Sequence, residues 1–169
     1  MQLSEPETEA GDNFAMNVRL RRLKADYNNL CGLTAGNPYI KLVSAEGNPP
    51  EKYTLEFHVR GMTIAEDGSP QVSTLHRAEV FLPLDYPRRP PFCRMITPLF
   101  HPNINPQKIC IGDHWSAGQS LSQMVIRIAE MICFQSYNVK SPLNAVAAKW
   151  AEDNLGDLPL ERIDLQFEL

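Results

Sequence analysis

The sequence predicts an α+β domain: an N-terminal helix, a four-stranded antiparallel meander, a long irregular segment, then two further helices. Three observations predict it. Met16, Leu20, Leu23, Tyr27 and Leu30 recur at alternating steps of four and three, which lays them along one face of a helix. Tyr53, Leu55, Phe57 and Val59 alternate with Thr54, Glu56, His58 and Arg60, the period of two of a strand with one buried face. The stretch 97–120 lacks either period and exceeds the ~12–15 residues beyond which a connection is usually functional or disordered.

In order, residues 1–12 read as a flexible tail and 13–154 as one domain, with 155–169 an extension whose structure the sequence leaves unassigned. The first helix is expected over 13–30, with Arg19, Arg21, Arg22 and Lys24 on the rest of its surface, either solvated or facing an acidic partner. Gly32, Gly36 and Pro38 close it. Strands follow at 39–44 and 53–60. After the turn-forming AEDGSP comes a third, carrying Ala78, Val80, Leu82 and Leu84, and a fourth lies at 92–96. Short connections favour antiparallel neighbours, because a parallel crossover needs a dozen or more residues. Ile104, Ile109, Ile111 and Trp115 can pin the irregular segment to the core. A second helix over 121–134 places Leu121, Met124, Val125, Ile128 and Ile132 on one face. A third opens at SPLNAVAAKW, where Ser141 suits the N-cap and Pro142 the first turn.

Composition narrows the class. At 169 residues and 43% hydrophobic, the chain can bury one real core. A net charge of -4 argues against a dedicated nucleic-acid binder. No apolar run nears the roughly 20 residues of a membrane helix, and the start MQLSEPETEAGD lacks a basic region followed by an apolar one, so a cytoplasmic, membrane-free setting is expected. Cys31, Cys93, Cys110 and Cys133 show no paired spacing of the kind that announces zinc, and neither a metal nor any other cofactor is expected. Reduced thiols are the expectation.

Four motifs stand in order: Tyr86-Pro87-Arg88-Arg89-Pro90-Pro91; His101-Pro102-Asn103 followed closely by Ile109-Cys110; Trp115-Ser116; and Ser141-Pro142-Leu143-Asn144. Together with the element order, over roughly 13–154, they make the chain resemble a ubiquitin-conjugating enzyme. The resemblance implies the ubiquitin-conjugating fold and an acyl transfer. Ubiquitin or a ubiquitin-like protein would pass from an activating enzyme to Cys110 as a thioester, and then to an amine, typically a lysine of an acceptor protein. A thiolate suits both steps, being strongly nucleophilic and a good leaving group. Cys31, Cys93 and Cys133 read instead as small buried hydrophobes.

Asn103 is expected beside Cys110, either as an amide donor to the charge developing on the thioester oxygen or as a brace for its loop. His101 is expected to shape that loop. Ser141 stands where the family often places an acidic residue or serine that helps the acceptor amine, although capping explains it as well. Asp113 and His114 are further polar groups near the site. Arg19, Arg22 and Lys24 would dock the activating enzyme.

The chain also departs from the family. The interval from Asn103 to Cys110 is one residue short and lacks a glycine often found there, and that from Cys110 to Trp115 is about three short. Arg88 replaces the apolar residue that RING-type ligases grip, and Ala117-Gly118 replace a Pro-Ala pair, which leaves ligase use open and admits a specialised system with its own activating enzyme. Two other readings remain: a non-catalytic module that binds a ubiquitin-like protein, and a cysteine hydrolase using His101 or His114 as base.

Overall fold

The structure, a computed structural model, describes residues 7–105, 108–111 and 115–166, with side chains from residue 11 onward. Helix α1 spans Glu7–Thr34, beginning six residues before the expected start at 13. Its second half is buried at Leu23, Asp26 and Leu30, while Met16 is 61% exposed rather than on the core stripe. Periodicity marks what a helix can bury, but α1 runs on past the sheet and α2 it packs against.

The main sheet contains β1 (Ile40–Gly47), β2 (Pro50–Phe57), β5 (His76–Phe81) and β6 (Phe92–Met95), antiparallel in that order. Its register sets Leu42 against Leu55, Leu55 against Ala78, and Val80 against Cys93, so one face buries Tyr53, Leu55, Phe57, Ala78, Val80 and Met95. The other face is a charge ladder, with Glu56 between His58 and Arg77, and Glu79 between Lys52 and Arg94. The meander is interrupted by a hairpin missed in the sequence, β3 (Gly61–Ile64) with β4 (Pro70–Ser73). AEDGSP does turn, with Gly68 at φ 83°, but it closes this hairpin instead of joining two strands of the main sheet. Leu84, expected to continue the inner face of the third strand, is 86% exposed beyond its end.

Helix α2 (Leu121–Ile132) buries the five expected residues and opens on a reciprocal cap: Ser120 Oγ accepts from the Gln123 N–H, and Gln123 Oε1 accepts from the Ser120 N–H. Helix α3 (Ala145–Asp153) starts later than expected, and its N-cap is Asn144, whose Oδ1 accepts from the Ala147 N–H at 3.0 Å. Ser141 therefore does not cap it. The chain from 158 to 166 is a strap on the core. Gln135 Nε2 donates to the Glu161 and Ile163 carbonyls, Asn37 Nδ2 donates to the Leu165 carbonyl at 3.2 Å, and Leu165 is buried. Among the described residues no helix is long and apolar enough to cross a membrane.

Candidate functional site

The site is built on the segment leaving β6. The Phe100 N–H donates to the Met62 carbonyl at 2.7 Å, which anchors its entry. His101 is wholly buried, 4.7 Å from the Phe134 ring, and its Nδ1 accepts the Asn103 N–H at 3.0 Å. Burial pulls its pKa down to about 3, against a small opposing effect of the Met131 carbonyl. With Nδ1 accepting, the one ring proton sits on Nε2, which makes no full hydrogen bond among the described residues, the Met131 carbonyl lying near without completing one. His101 is thus a neutral wedge whose lone pair is already used. The Pro102 carbonyl accepts from the Leu143 and Asn144 N–H groups at 2.8 and 3.1 Å, fastening the segment to the approach of α3.

Two short strands, β7 (Ile104–Asn105) and β8 (Lys108–Ile109), then pair, and the Cys110 N–H extends their ladder to the Asn103 carbonyl at 3.1 Å. Residues 103 and 110 become neighbours because a hairpin folds the intervening chain back on itself. Ile104, Ile109 and Ile111 are buried at 0–2% exposure, and strict alternation turns Cys110 outward between two anchors. The Asn103 side chain is buried with both its polar atoms engaged: Nδ2 donates to the Asn138 carbonyl and Oδ1 accepts the Asn138 N–H, each at 2.7 Å. Among the described residues one amide hydrogen remains, since Nδ2 carries two.

A cavity of about 280 Å³ opens here, lined by Cys110, Asn103, Ser136, Tyr137, Asn138 and Ser141, with Arg127 and Met131 of α2 behind them. The structure therefore brings Cys110, Asn103 and Ser141 together and leaves His101 buried and out of the cavity lining. Asp113 and His114 lie outside the described residues. Tyr137 and Asn138 were missed in the sequence, and no local signal marks them; Asn138 meets Asn103 across 35 residues.

The expected docking cations divide. Lys24 is exposed, whereas Arg19 binds Glu51 at 3.1 Å and the Pro83 carbonyl at 3.0 Å. Arg22 faces inward onto Asp26. That role had a legible signal: Asp26 interrupts the apolar stripe of α1 four residues after an arginine. Cys93 and Cys133 are buried, which raises both thiol pKa values, while Cys31 is half-exposed rather than a buried spacer. Trp115 packs on Tyr86, ring centroids 5.7 Å apart, and its Nε1 donates to the Pro87 carbonyl, so two of the four motifs meet. Arg88, Ala117 and Gly118 are all exposed.

The sequence profile described as ubiquitin-conjugating enzyme matches residues 22–157. Ubiquitin-conjugating enzyme E2 N of Drosophila melanogaster is 33% identical over 107 residues, covering 60% of this chain and 68% of that protein. Ubiquitin-conjugating enzyme E2 1 of Schizosaccharomyces pombe is 30% identical over 81 residues, 45% of this chain and 37% of that one. Ubiquitin-conjugating enzyme E2 21 of Caenorhabditis elegans is 30% identical over 96 residues, 54% and 44%. The chain thus matches less than half the length of the latter two. A solved structure from Trypanosoma cruzi, described as a ubiquitin conjugating enzyme, shares the fold with a TM-score of 0.60 at 17% identity, covering 82% of this chain and 93% of that one.

Proposed function

The chain belongs to the ubiquitin-conjugating enzyme family, and from that premise we propose that Cys110 carries ubiquitin or a ubiquitin-like protein as a thioester. The observation that carries this reading is the outward-turned Cys110, held on the Asn103 carbonyl and lining one cavity with Asn103 and Ser141. In charging, the Cys110 sulfur attacks the carbonyl carbon of the thioester on the activating enzyme, whose own thiolate leaves. In discharge, an amine nitrogen attacks the same carbon, the C–S bond breaks and Cys110 departs as thiolate, the amine losing its proton.

A lysine acceptor is only about 0.04% neutral at pH 7, so the site must orient and desolvate it. Ser141, free of any capping duty, offers a hydroxyl for orientation. Asn103 has one amide hydrogen left for the oxyanion while its other bonds hold the loop, which makes donor and brace compatible roles. His101 does not suit a hydrolase base, being buried and neutral with its lone pair on the Asn103 N–H. Of Arg19, Arg22 and Lys24, Lys24 is the one left exposed to meet an acidic face of the activating enzyme. The exposed Arg88 favours a partner other than one that buries an apolar anchor there.

The test is to mix the protein with a ubiquitin-like protein, its activating enzyme and ATP. The expected product is an adduct that thiol reductant removes from the wild type, that resists reductant as an ester in Cys110→Ser, and that is absent from Cys110→Ala. Charging of Cys110→Ala would overturn the assignment.

A further inference from the structure

We propose that Tyr137 is a specificity-determining residue for the acceptor, its ring forming the apolar wall along which the hydrocarbon stem of an incoming lysine lies while the amine meets the thioester on Cys110. The reading rests on Cys110 being the acyl carrier. Among the described residues that line the cavity with Cys110, two carry an apolar body, Met131 and Tyr137; the rest offer amides, hydroxyls and one guanidinium. Met131 is 5% exposed, whereas Tyr137 is half-buried, so the apolar surface that an alkyl chain can cover here is chiefly the Tyr137 ring.

Two restraints fix that ring. Helix α2 ends in a tight reversal, in which the Phe134 N–H bonds to the Met131 carbonyl at 3.1 Å and the Gln135 and Ser136 N–H groups both bond to the Glu130 carbonyl, at 2.8 and 3.2 Å. Such a closure passes through a left-handed residue, where glycine is usual. Phe134 stands there instead, at φ 59°. A glycine would take this conformation without crowding its Cβ, so the phenyl is offset by what its side chain touches. It touches two rings: Phe134 is 4% exposed, with its centroid 4.7 Å from His101 and 5.3 Å from Tyr137, the latter pair inclined at 66°. That edge-to-face geometry sets the positive rim of one ring against the negative face of the other. On the far side, both backbone groups of Asn138 are bonded to the Asn103 side chain. Tyr137 is thus held between a buried aromatic stack and the amide beside Cys110.

The chemistry explains why such a wall matters. An acceptor amine reacts as the neutral form, which desolvation favours, and lysine carries that amine on a flexible apolar stem. Laying the stem on a ring excludes water from it and aims the nitrogen. The new N–C bond then forms as the C–S bond breaks, Cys110 leaves as thiolate, and the amine proton passes to solvent.

The test compares n-butylamine with methylamine, which are matched in basicity and differ in the length of the alkyl chain. Each methylene taken wholly out of water favours binding about fourfold, so a butyl chain half-covered on one side should react about eightfold faster than methyl. The full chain is used with Cys31→Ser, which removes the other partly exposed thiol of the described residues. Its thioester is made by thiol exchange with the mercaptoethanesulfonate thioester of ubiquitin, which needs no activating enzyme. Discharge rates with the two amines are expressed as a ratio and divided by the same ratio for the mercaptoethanesulfonate thioester free in solution. We expect about eight for the otherwise wild-type chain, a fall to about one in Tyr137→Ser, and a value within about twofold of the parent in Tyr137→Phe, with thermal unfolding still cooperative. A parent ratio near one overturns the proposal, and that arm needs no Tyr137 variant to fold. An equal slowing of both amines in Tyr137→Ser also overturns it, since Tyr137 would then support Cys110 and not the stem. So does Tyr137→Phe behaving like Tyr137→Ser, which would assign the effect to the hydroxyl. Charging of Cys110→Ala by the activating enzyme would sink the acyl-carrier reading, whereas a flat amine ratio on the chemically made thioester would sink the Tyr137 wall alone.

Discussion

Replacing Asn103 separates its two roles, because brace and donor use different hydrogens of one amide. Asn103→Ala removes both 2.7 Å bonds to the Asn138 backbone. Each such bond contributes about 0.5–1.5 kcal/mol net, and Asn138 is exposed enough for water to replace part of the loss, so the variant should be less stable by about 2 kcal/mol. For a chain of this size that is a fall in Tm of about 4–8 °C. Asn103→Asp retains an oxygen for the Asn138 N–H but sets a buried carboxylate against the Asn138 carbonyl, so it should be the less stable of the two. If the remaining amide hydrogen meets the oxyanion, both variants lose it, and single-turnover discharge to free lysine should slow about 10²-fold in Ala and at least as much in Asp, with charging nearly unchanged. The paired assay is thermal unfolding beside charging and discharge rates. Equal losses in charging and discharge would refute the donor role.

The buried His101 ties stability to pH. Its folded pKa near 3 lies below the ordinary 6.5, so the unfolded chain binds more protons between those values, and stability present above pH 6.5 drains as the pH falls towards 3. At pH 5 this amounts to about 2 kcal/mol relative to pH 8. Urea unfolding should show His101→Gln losing that much less than wild type over this interval, and equal losses would contradict the neutral wedge; His76, also depressed by burial, is common to both proteins and cancels. At the start of α3, Asn144→Ala should cost about 1 kcal/mol and Ser141→Ala under about 0.5 kcal/mol, read as denaturant midpoints. The reverse order would restore Ser141 as the cap.

Much of the architecture was legible because burial imposes a period. The five apolar residues of α2 and the alternation through β2 are strong local signals, and both elements formed, α2 ending at Ile132 instead of 134 and β2 running over Pro50–Phe57 instead of 53–60. The β3–β4 hairpin was not, because its strands are four residues each and partly exposed, so neither carries a sustained pattern. Ser141 and Asn144 are both good capping residues three positions apart, and sequence favoured the one before proline. The Leu143 and Asn144 N–H groups bond to the Pro102 carbonyl, which holds the chain non-helical until Asn144.

The site divides in the same way. Cys110 was readable from its motif and from the isoleucines on either side, since alternation alone turns it away from the core. Its surroundings were not: Asn138 reaches Asn103 across 35 residues. Arg22 looked like one more surface cation until Asp26, Tyr86 and two carbonyls were seen around it. Periodicity and motif are properties of neighbouring residues, so sequence alone determined the order of the main sheet strands and helices, without the β3–β4 hairpin, and the candidate nucleophile's place among them. Which polar groups lose their water, and which partners they find when they do, depends on chain segments that meet only in the folded molecule, and the tertiary structure alone decided that.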